Sequence, residues 1–177
     1  MNYWETEKIK LRAIESCDAE VLQQWHTNTE LSRHMDFISP PQSLASLRAY
    51  VEKETHNKLD GDRYFWMIED KAGNVVGHID TRCNPRHGNF EYGVSVAPRH
   101  HRCGYASDAI MKIVDYYFNH LRYHKVNAGV HSDNLPSIRL HESLGFKLEG
   151  TIRETVYTNG GWVDELRFGL TQPELPG

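Results

Sequence analysis

Residues 90–121 read FEYGVSVAPRHHRCGYASDAIMKIVDYYFNHL, and this stretch decides the fold. Its first residues alternate as a half-buried strand does. Glu91, Gly93 and Ser95 fall on one face, and Tyr92, Val94 and Val96 on the other. From Ala106 the period changes. Ala106, Ala109, Ile110, Ile113, Val114, Tyr117, Phe118 and Leu121 recur at helical spacing and share one face, with Lys112, Asp115 and Asn119 opposite. The joint between strand and helix, Arg99-His100-His101-Arg102-Cys103-Gly104-Tyr105-Ala106, is basic and carries a single glycine. A helix that starts in this way presents unpaired backbone N–H groups, and its dipole adds positive potential at the same point. Gly104 permits close approach of a ligand, while Arg99 and Arg102 add full charge. The joint therefore reads either as an anion site, with phosphate the commonest biological occupant, or as a connection that merely needs a glycine.

Working outward, Lys8–Ala13 alternates as a first strand. Asp18 reads as the N-cap of a helix reaching about Thr29, with Val21, Leu22 and Trp25 inward. Leu31–Pro41 resists assignment and ends in Pro40-Pro41, which stops any regular element. A second helix spans Ser43–His56. The strands Arg63–Glu69 and Val75–Thr81 form a hairpin around Asp70-Lys71-Ala72-Gly73-Asn74. Beyond the central stretch come a strand at Lys125–Val130 and a helix at Asn134–Ser143 closed by Gly145. Two strands follow, Lys147–Tyr157 and Trp162–Leu170, joined through Asn159-Gly160-Gly161. The tail from Thr171 reads as loose. No linker or repeat interrupts the order, which predicts one mixed α/β domain over residues 1–177 with its core at 8–170.

His101-Arg102-Cys103-Gly104-Tyr105-Ala106 resembles the cofactor motif of the GNAT N-acetyltransferases, Gln/Arg-x-x-Gly-x-Gly/Ala, with His at the first position. A second stretch, Asn134-Leu135-Pro136-Ser137-Ile138-Arg139-Leu140-His141-Glu142-Ser143-Leu144-Gly145-Phe146, resembles the family's later Asn-x-x-Ser-x-x-Leu-Tyr-x-x-x-Gly-Phe, with His141 in place of the usual Tyr. The resemblance covers nearly the whole chain, from Ile9 to Leu170. It implies the GNAT fold, an α+β architecture whose mixed sheet of about seven strands splays around the cofactor and is flanked by about four helices. It also implies acetyl-CoA as acetyl donor. The pyrophosphate would rest on His101, Arg102, Cys103, Gly104, Tyr105 and Ala106. The pantetheine amides would pair with the strand edge at Val94 and Val96, where the Val96 N–H is the implied oxyanion donor. Asn134 would hold the pantetheine arm, with Ser137 near it.

Glu91-Tyr92-Gly93 further resembles the Glu-x-Gly strand of the ribosomal-protein acetyltransferase branch, and the runs Glu149–Glu154 and Asn159–Glu165 resemble that branch and its small-amine relatives. Acetyl transfer needs a neutral amine, a donor to the oxyanion and a proton for the leaving thiolate. Glu91 is the candidate base, acting through water because a carboxylate near ~4.3 is a weak direct base. The competing reading of Glu91 is a salt-bridged strand residue. His141, with an ordinary pKa near ~6.5, is the candidate acid; the competing readings are a partly exposed surface histidine and protonation by water. An acceptor pocket lined by Met35, Phe37, Tyr64, Trp66 and Trp162, with Glu91 and Asp80 as acids, suits an amine that is cationic in solution, although core packing is the simpler explanation for at least half of these aromatics. The expected reaction is direct attack by a primary amine, on a protein N-terminus or a small molecule. Alternatives are a polyamine or antibiotic acetyltransferase, and a non-catalytic acyl-CoA-binding sensor.

Composition sets outer limits. A formal net charge of −4 argues against a general nucleic-acid binder, and Arg99–Arg102 is the sole cluster that keeps an RNA-associated role open. Cys17, Cys83 and Cys103 are odd in number and form no CxxC. With no leader at residues 1–5 they predict a reducing cytoplasm. No apolar run approaches the ~20 residues of a membrane span, and the histidines show no metal-ligand spacing. No metal is expected, and a homodimer is left open.

Overall fold

The computed structural model describes residues 2–27, 40–56 and 61–175. The elements are β1 (Ile9–Ala13), α1 (Asp18–His26), α2 (Leu44–Thr55), β2 (Phe65–Asp70), β3 (Val75–Asn84), β4 (Asn89–Val96), α3 (Tyr105–Asn119), β5 (Lys125–His131), α4 (Leu135–Ser143), β6 (Lys147–Thr158) and β7 (Gly161–Thr171). The seven strands form one mixed sheet in the order β1-β2-β3-β4-β5-β7-β6. β1, β2 and β3 pair antiparallel. β4 and β5 are parallel, and β7 lies between β5 and β6, antiparallel to both. A parallel pair needs a long crossover, and α3 supplies it. This is the α/β class expected from the sequence. Of the expected elements, the region Leu31–Ser39, with Met35 and Phe37, lies outside the described residues.

The chain gathers into two units. Met1–Thr81 with Gly93–Ile110 forms one, and Arg82–Tyr92 with Met111–Gly177 the other. In the first, Ile14, Ala19, Leu22, Val51 and Met67 make a closed cluster, with Trp25, Leu44, Phe65 and Val75 packed around it. Beside this core, the Arg12 guanidinium donates to both oxygens of Asp18, each at 2.8 Å, and its Nε donates to Glu69. Cys17, not Asp18, takes the N-cap position of α1. The Asp18 carboxylate is buried and serves Arg12 and the Glu15 N–H instead. A buried carboxylate gains more from a bidentate guanidinium than from one cap bond, which is why the cap expectation failed. The same contacts hold the Arg12 pKa above its usual value, the Asp18 bond being the largest cause.

In the second unit, Ile113, Val114, Tyr117 and Phe118 are buried, as the helical spacing required. Phe90 of β4 stacks on Tyr117 with ring centroids 4.0 Å apart, and Tyr123 meets both edge-on. The β6–β7 turn is a two-residue reversal with Asn159 at φ 51° and Gly160 at φ 82°, the left-handed pair that Asn-Gly supplies for a hairpin. The tail departs from expectation. Gln172–Glu174 forms a 3-10 turn held by a capping box with Thr171, and Glu174 also pairs with Lys147. No helix of the described residues is long and apolar enough to cross a membrane.

Candidate active site

After β4 the chain makes one 3-10 turn at Pro98–His100, and α3 begins at Tyr105. Arg102 at φ 63° and Gly104 at φ 81° are both left-handed, one on each side of Cys103. Backbone of this kind concentrates N–H groups on one concave side, ahead of a fifteen-residue helix whose dipole points the same way. Arg102 bears a conformational cost of about 1 kcal/mol there, which glycine at 104 avoids. His101 has a defined task. Its Nε2–H donates to the Val96 carbonyl at 2.8 Å and ties the end of β4 to the turn. Arg99 Nε donates to His100 at 2.9 Å. The Cys103 thiol donates to the His101 carbonyl at 3.6 Å and belongs to the turn itself.

One residue at this turn was not foreseen. The Lys8 ammonium stands 2.6 Å from where a Cβ on Gly104 would be, so Gly104 leaves the space that Lys8 fills. Lys8 is half exposed, and its nearest carboxylate, Asp108, is 4.0 Å away. Asp108 is held by the Thr6 hydroxyl at 2.6 Å. Nothing in the spacing of the sequence joins residue 8 to residue 104; the juxtaposition is tertiary.

In the second unit, the Asn134 side-chain oxygen accepts the Ser137 N–H at 3.2 Å and caps α4. His141, one helical turn after Ser137, is 4% exposed. Its Nδ1 lies 2.7 Å from the Ser137 carbonyl, which can only accept, so Nδ1 carries the proton. Nε2 is then an acceptor, and the Tyr92 hydroxyl donates to it at 2.8 Å. The ring also lies among Tyr92, Phe146 and Phe168. Burial lowers the His141 pKa, partly offset by the bond to Ser137. Burial likewise pushes the Tyr92 phenol well above its usual value. The competing reading of a partly exposed surface histidine is therefore excluded: aromatic neighbours at 92, 146 and 168 enclose it.

Glu91 lies 3.5 Å from Arg167 Nη1, which is also 3.5 Å from Glu165. Asp80 lies against Gly93, its Oδ1 3.0 Å from where a Cβ at 93 would be. The strand register divides the expected acceptor residues. Trp66 is opposite Ile79, and Phe65 is opposite Asp80. Side chains alternate between faces, so Trp66 and Tyr64 point to the face away from Asp80. There the Tyr64 and Trp66 rings sit 5.2 Å apart, and Trp4 is 5.6 Å from Trp66. The Asp80 face carries Phe65 and His78, stacked at 5.2 Å, with Trp25 beyond. Burial raises the Tyr50 pKa, with lesser contributions from Glu54 and Asp80 and an opposing one from Arg63. Glu54 also pairs with Arg63 at 3.4 Å. Trp162 stands 62% exposed on the β6–β7 hairpin, its ring 5.2 Å from Tyr157. The period of two thus puts Tyr64 and Trp66, expected as lining, on the opposite face from Asp80, expected as an acid of the same pocket. Which residues of α2 come near Asp80 was not foreseen, because it depends on the face of the sheet that α2 covers. Among the described residues no group of three or more His, Cys, Asp or Glu side chains is placed to hold a metal ion.

Residues 8–147 match the family model described as Acetyltransferase (GNAT) domain. The chain is 35% identical over 176 residues to the SPbeta prophage-derived uncharacterized N-acetyltransferase YokL of Bacillus subtilis, covering 99% of this chain and 96% of that one. It is 28% identical over 166 residues to a spermidine N(1)-acetyltransferase of Vibrio cholerae, covering 93% and 94% of the two chains. A crystal structure of spermidine N-acetyltransferase from Vibrio cholerae in complex with CoA and spermine superposes with a TM-score of 0.83 at 26% identity, covering 96% of this chain and 98% of that one.

Proposed function

Because this chain belongs to the GNAT acetyltransferase family and is an N-acetyltransferase, we propose that it moves the acetyl group of acetyl-CoA onto a primary amine of a small polycationic acceptor. The observation that carries the donor half is the turn at Arg102–Gly104, with its left-handed backbone, the α3 terminus and Lys8 beside it. Backbone N–H groups of this turn would bind the pyrophosphate, and Arg102 and Lys8 would add charge. Val94 and Val96 would align the pantetheine arm, and Asn134 would contribute its amide N–H groups, since its oxygen is already engaged in capping α4.

The acceptor half rests on the acidic and aromatic side chains around Asp80, and on the likeness to spermidine acetyltransferases. A polyamine nitrogen with a pKa near ~10.4 is charged at pH 7 and must lose a proton before it attacks. Carboxylates at Asp80 and Glu54 would draw in the cation. Glu91 would accept the amine proton through a bridging water, with Arg167 fixing its orientation. The amine nitrogen then bonds to the thioester carbon, the Val96 N–H stabilises the oxyanion, and the C–S bond breaks to release CoA thiolate, which takes a proton. His141 would act by positioning. Its only proton is bound to the Ser137 carbonyl, and its other nitrogen accepts from Tyr92. We therefore assign the thiolate proton to water. Cys103 sits in the turn, away from any role as acyl carrier.

The test is thiol release from acetyl-CoA against a panel of polyamines, amino acids and N-terminal peptides, with acetyl-CoA binding measured in parallel. Turnover with spermidine-like amines supports the reading. Turnover confined to α-amino peptides moves the acceptor to a protein N-terminus, the second reading, which the resemblance at Glu91–Gly93 favours. Binding without turnover on any amine would leave a sensor.

A further inference from the structure

The peptide that joins Ser95 to Val96 lies against the bare backbone of Gly77 in β3. A Cβ on Gly77 would stand 2.2 Å from the Ser95 carbonyl oxygen, 3.2 Å from its carbon and 3.1 Å from the Val96 Cα. All three are backbone atoms of β4, so no side-chain rotation makes room for even a methyl group. The oxygen is the nearest of them, so the carbonyl is aimed at the space Gly77 leaves empty. Gly77 is opposite Ile68, and Phe65 is opposite Asp80. By the period of two, the empty space is on the face away from His78 and Asp80.

The Ser95–Val96 peptide is trans and planar, so its N–H points opposite to its C=O. The Val96 N–H is therefore turned away from Gly77 and towards the face that carries Asp80. The next peptide is held at both of its polar groups. The Ala97 N–H donates to the Val76 carbonyl at 2.9 Å, and the His101 Nε2–H donates to the Val96 carbonyl at 2.8 Å. A vacancy on one side and two hydrogen bonds on the other thus fix the direction of a single N–H.

We propose that Gly77 and His101 are positioning residues for acetyl transfer, which keep the Val96 N–H aimed at the thioester oxygen. This rests on the function proposed above, in which that N–H stabilises the oxyanion. Both side-chain positions act through the backbone. Gly77 yields its space to the Ser95 carbonyl, and His101 anchors the peptide that follows. A donor aimed in advance needs no reorganisation as charge builds on the oxygen.

The experiment is infrared difference spectroscopy of acetyl-CoA, carbon-13 labelled at the acetyl carbonyl, bound to the full chain without an amine. Circular dichroism checks folding, and steady-state kinetics follows with an amine the enzyme accepts. A donor on the thioester oxygen lowers the carbonyl stretching frequency, so the natural chain is expected to bind acetyl-CoA with that band displaced downward. Gly77→Ala pushes the Ser95–Val96 peptide aside. It is expected to lose the displacement and to lower kcat about a hundredfold, with the KM for acetyl-CoA little changed. His101→Phe leaves β3 and β4 unaltered in sequence and is expected to lose part of the displacement. His101→Gln keeps an N–H donor and is expected to restore it. This second pair carries the test if Gly77→Ala does not fold. A bound carbonyl at its free frequency in the natural chain overturns the proposal. So does a displacement that persists in folded Gly77→Ala or in His101→Phe, or one that His101→Gln fails to restore. A natural chain that does not bind acetyl-CoA at all overturns the proposed function, and this proposal with it.

Discussion

At the scale of single residues, three side chains carry distinct expectations. The proposed function gives Glu91 the work of a base and Asp80 that of a cation site, so their variants should fail differently. Glu91→Gln is expected to lower kcat by about a hundredfold, with acetyl-CoA affinity unchanged. Asp80→Asn is expected to raise the KM for a polyamine by about tenfold. Steady-state kinetics with one amine separates the two patterns, and a fully active Glu91→Gln enzyme removes Glu91 as base. Lys8, partly exposed and weakly paired, is expected to contribute modestly: Lys8→Met should raise the KM for acetyl-CoA roughly threefold to tenfold, and the effect should fade as salt is added. An acyl-pantetheine donor lacking the phosphates should not sense the change. His78 sets a stability limit. Among the described residues its Nδ1 is enclosed without a hydrogen-bond partner, and burial, with a smaller effect from His26, lowers its pKa to about 4. Between pH 6.5 and about 4 the unfolded chain takes up a proton that the folded chain resists, so stability falls as pH falls through that window. The loss is on the order of 2–3 kcal/mol by pH 4. His141 acts in the same direction. Thermal melts from pH 7 to pH 4 should show a shallower decline for His78→Phe than for the natural chain; parallel curves would assign the acid sensitivity elsewhere.

At the scale of elements, α4 ties two roles together. Asn134 caps it and faces its first turn, and His141 closes the next turn onto β4 through Tyr92. Asn134→Ala removes the cap and is expected to cost about 1 kcal/mol in urea unfolding. If the residue also binds the pantetheine arm, the KM for acetyl-CoA should rise by more than that loss of stability explains, and Asn134→Asp, which keeps the cap oxygen but not the N–H donors, should reproduce the KM effect alone. An Asn134→Asp enzyme with an unchanged KM would leave only the cap. The acceptor wall shows the opposite relation between sequence and structure. Tyr64 and Trp66 look like neighbours of Asp80 in a list of aromatics, but one residue of strand register sends them to the other face.

At the scale of the whole molecule, donor binding should couple to stability. Acetyl-CoA at a hundredfold excess over its dissociation constant adds about 2.7 kcal/mol, which for a chain of this length raises Tm by roughly 5–10 °C. Gly104→Glu, which places a carboxylate and bulk where Lys8 sits and where the proposed phosphate would bind, is expected to abolish that shift; a Tm that still rises with acetyl-CoA would move the phosphate site elsewhere. Much of this architecture was legible in advance because it depends on local periodicity. The alternation of 90–96, the helical face of 106–121 and the Asn-Gly reversal at 159–160 each follow from steric preferences within a few residues, and their order specifies a strand–helix–strand crossover. The turn at Gly104 was legible for the same reason, since a glycine between a strand and an amphipathic helix advertises its own backbone. Long-range packing decided the rest. Only the folded chain brings Lys8 to Gly104, turns Asp18 from a cap to Arg12, buries His141 against Tyr92 and puts Asp80 on Phe65's face of the sheet. These depend on which distant surfaces meet, and no periodicity within a single stretch records that.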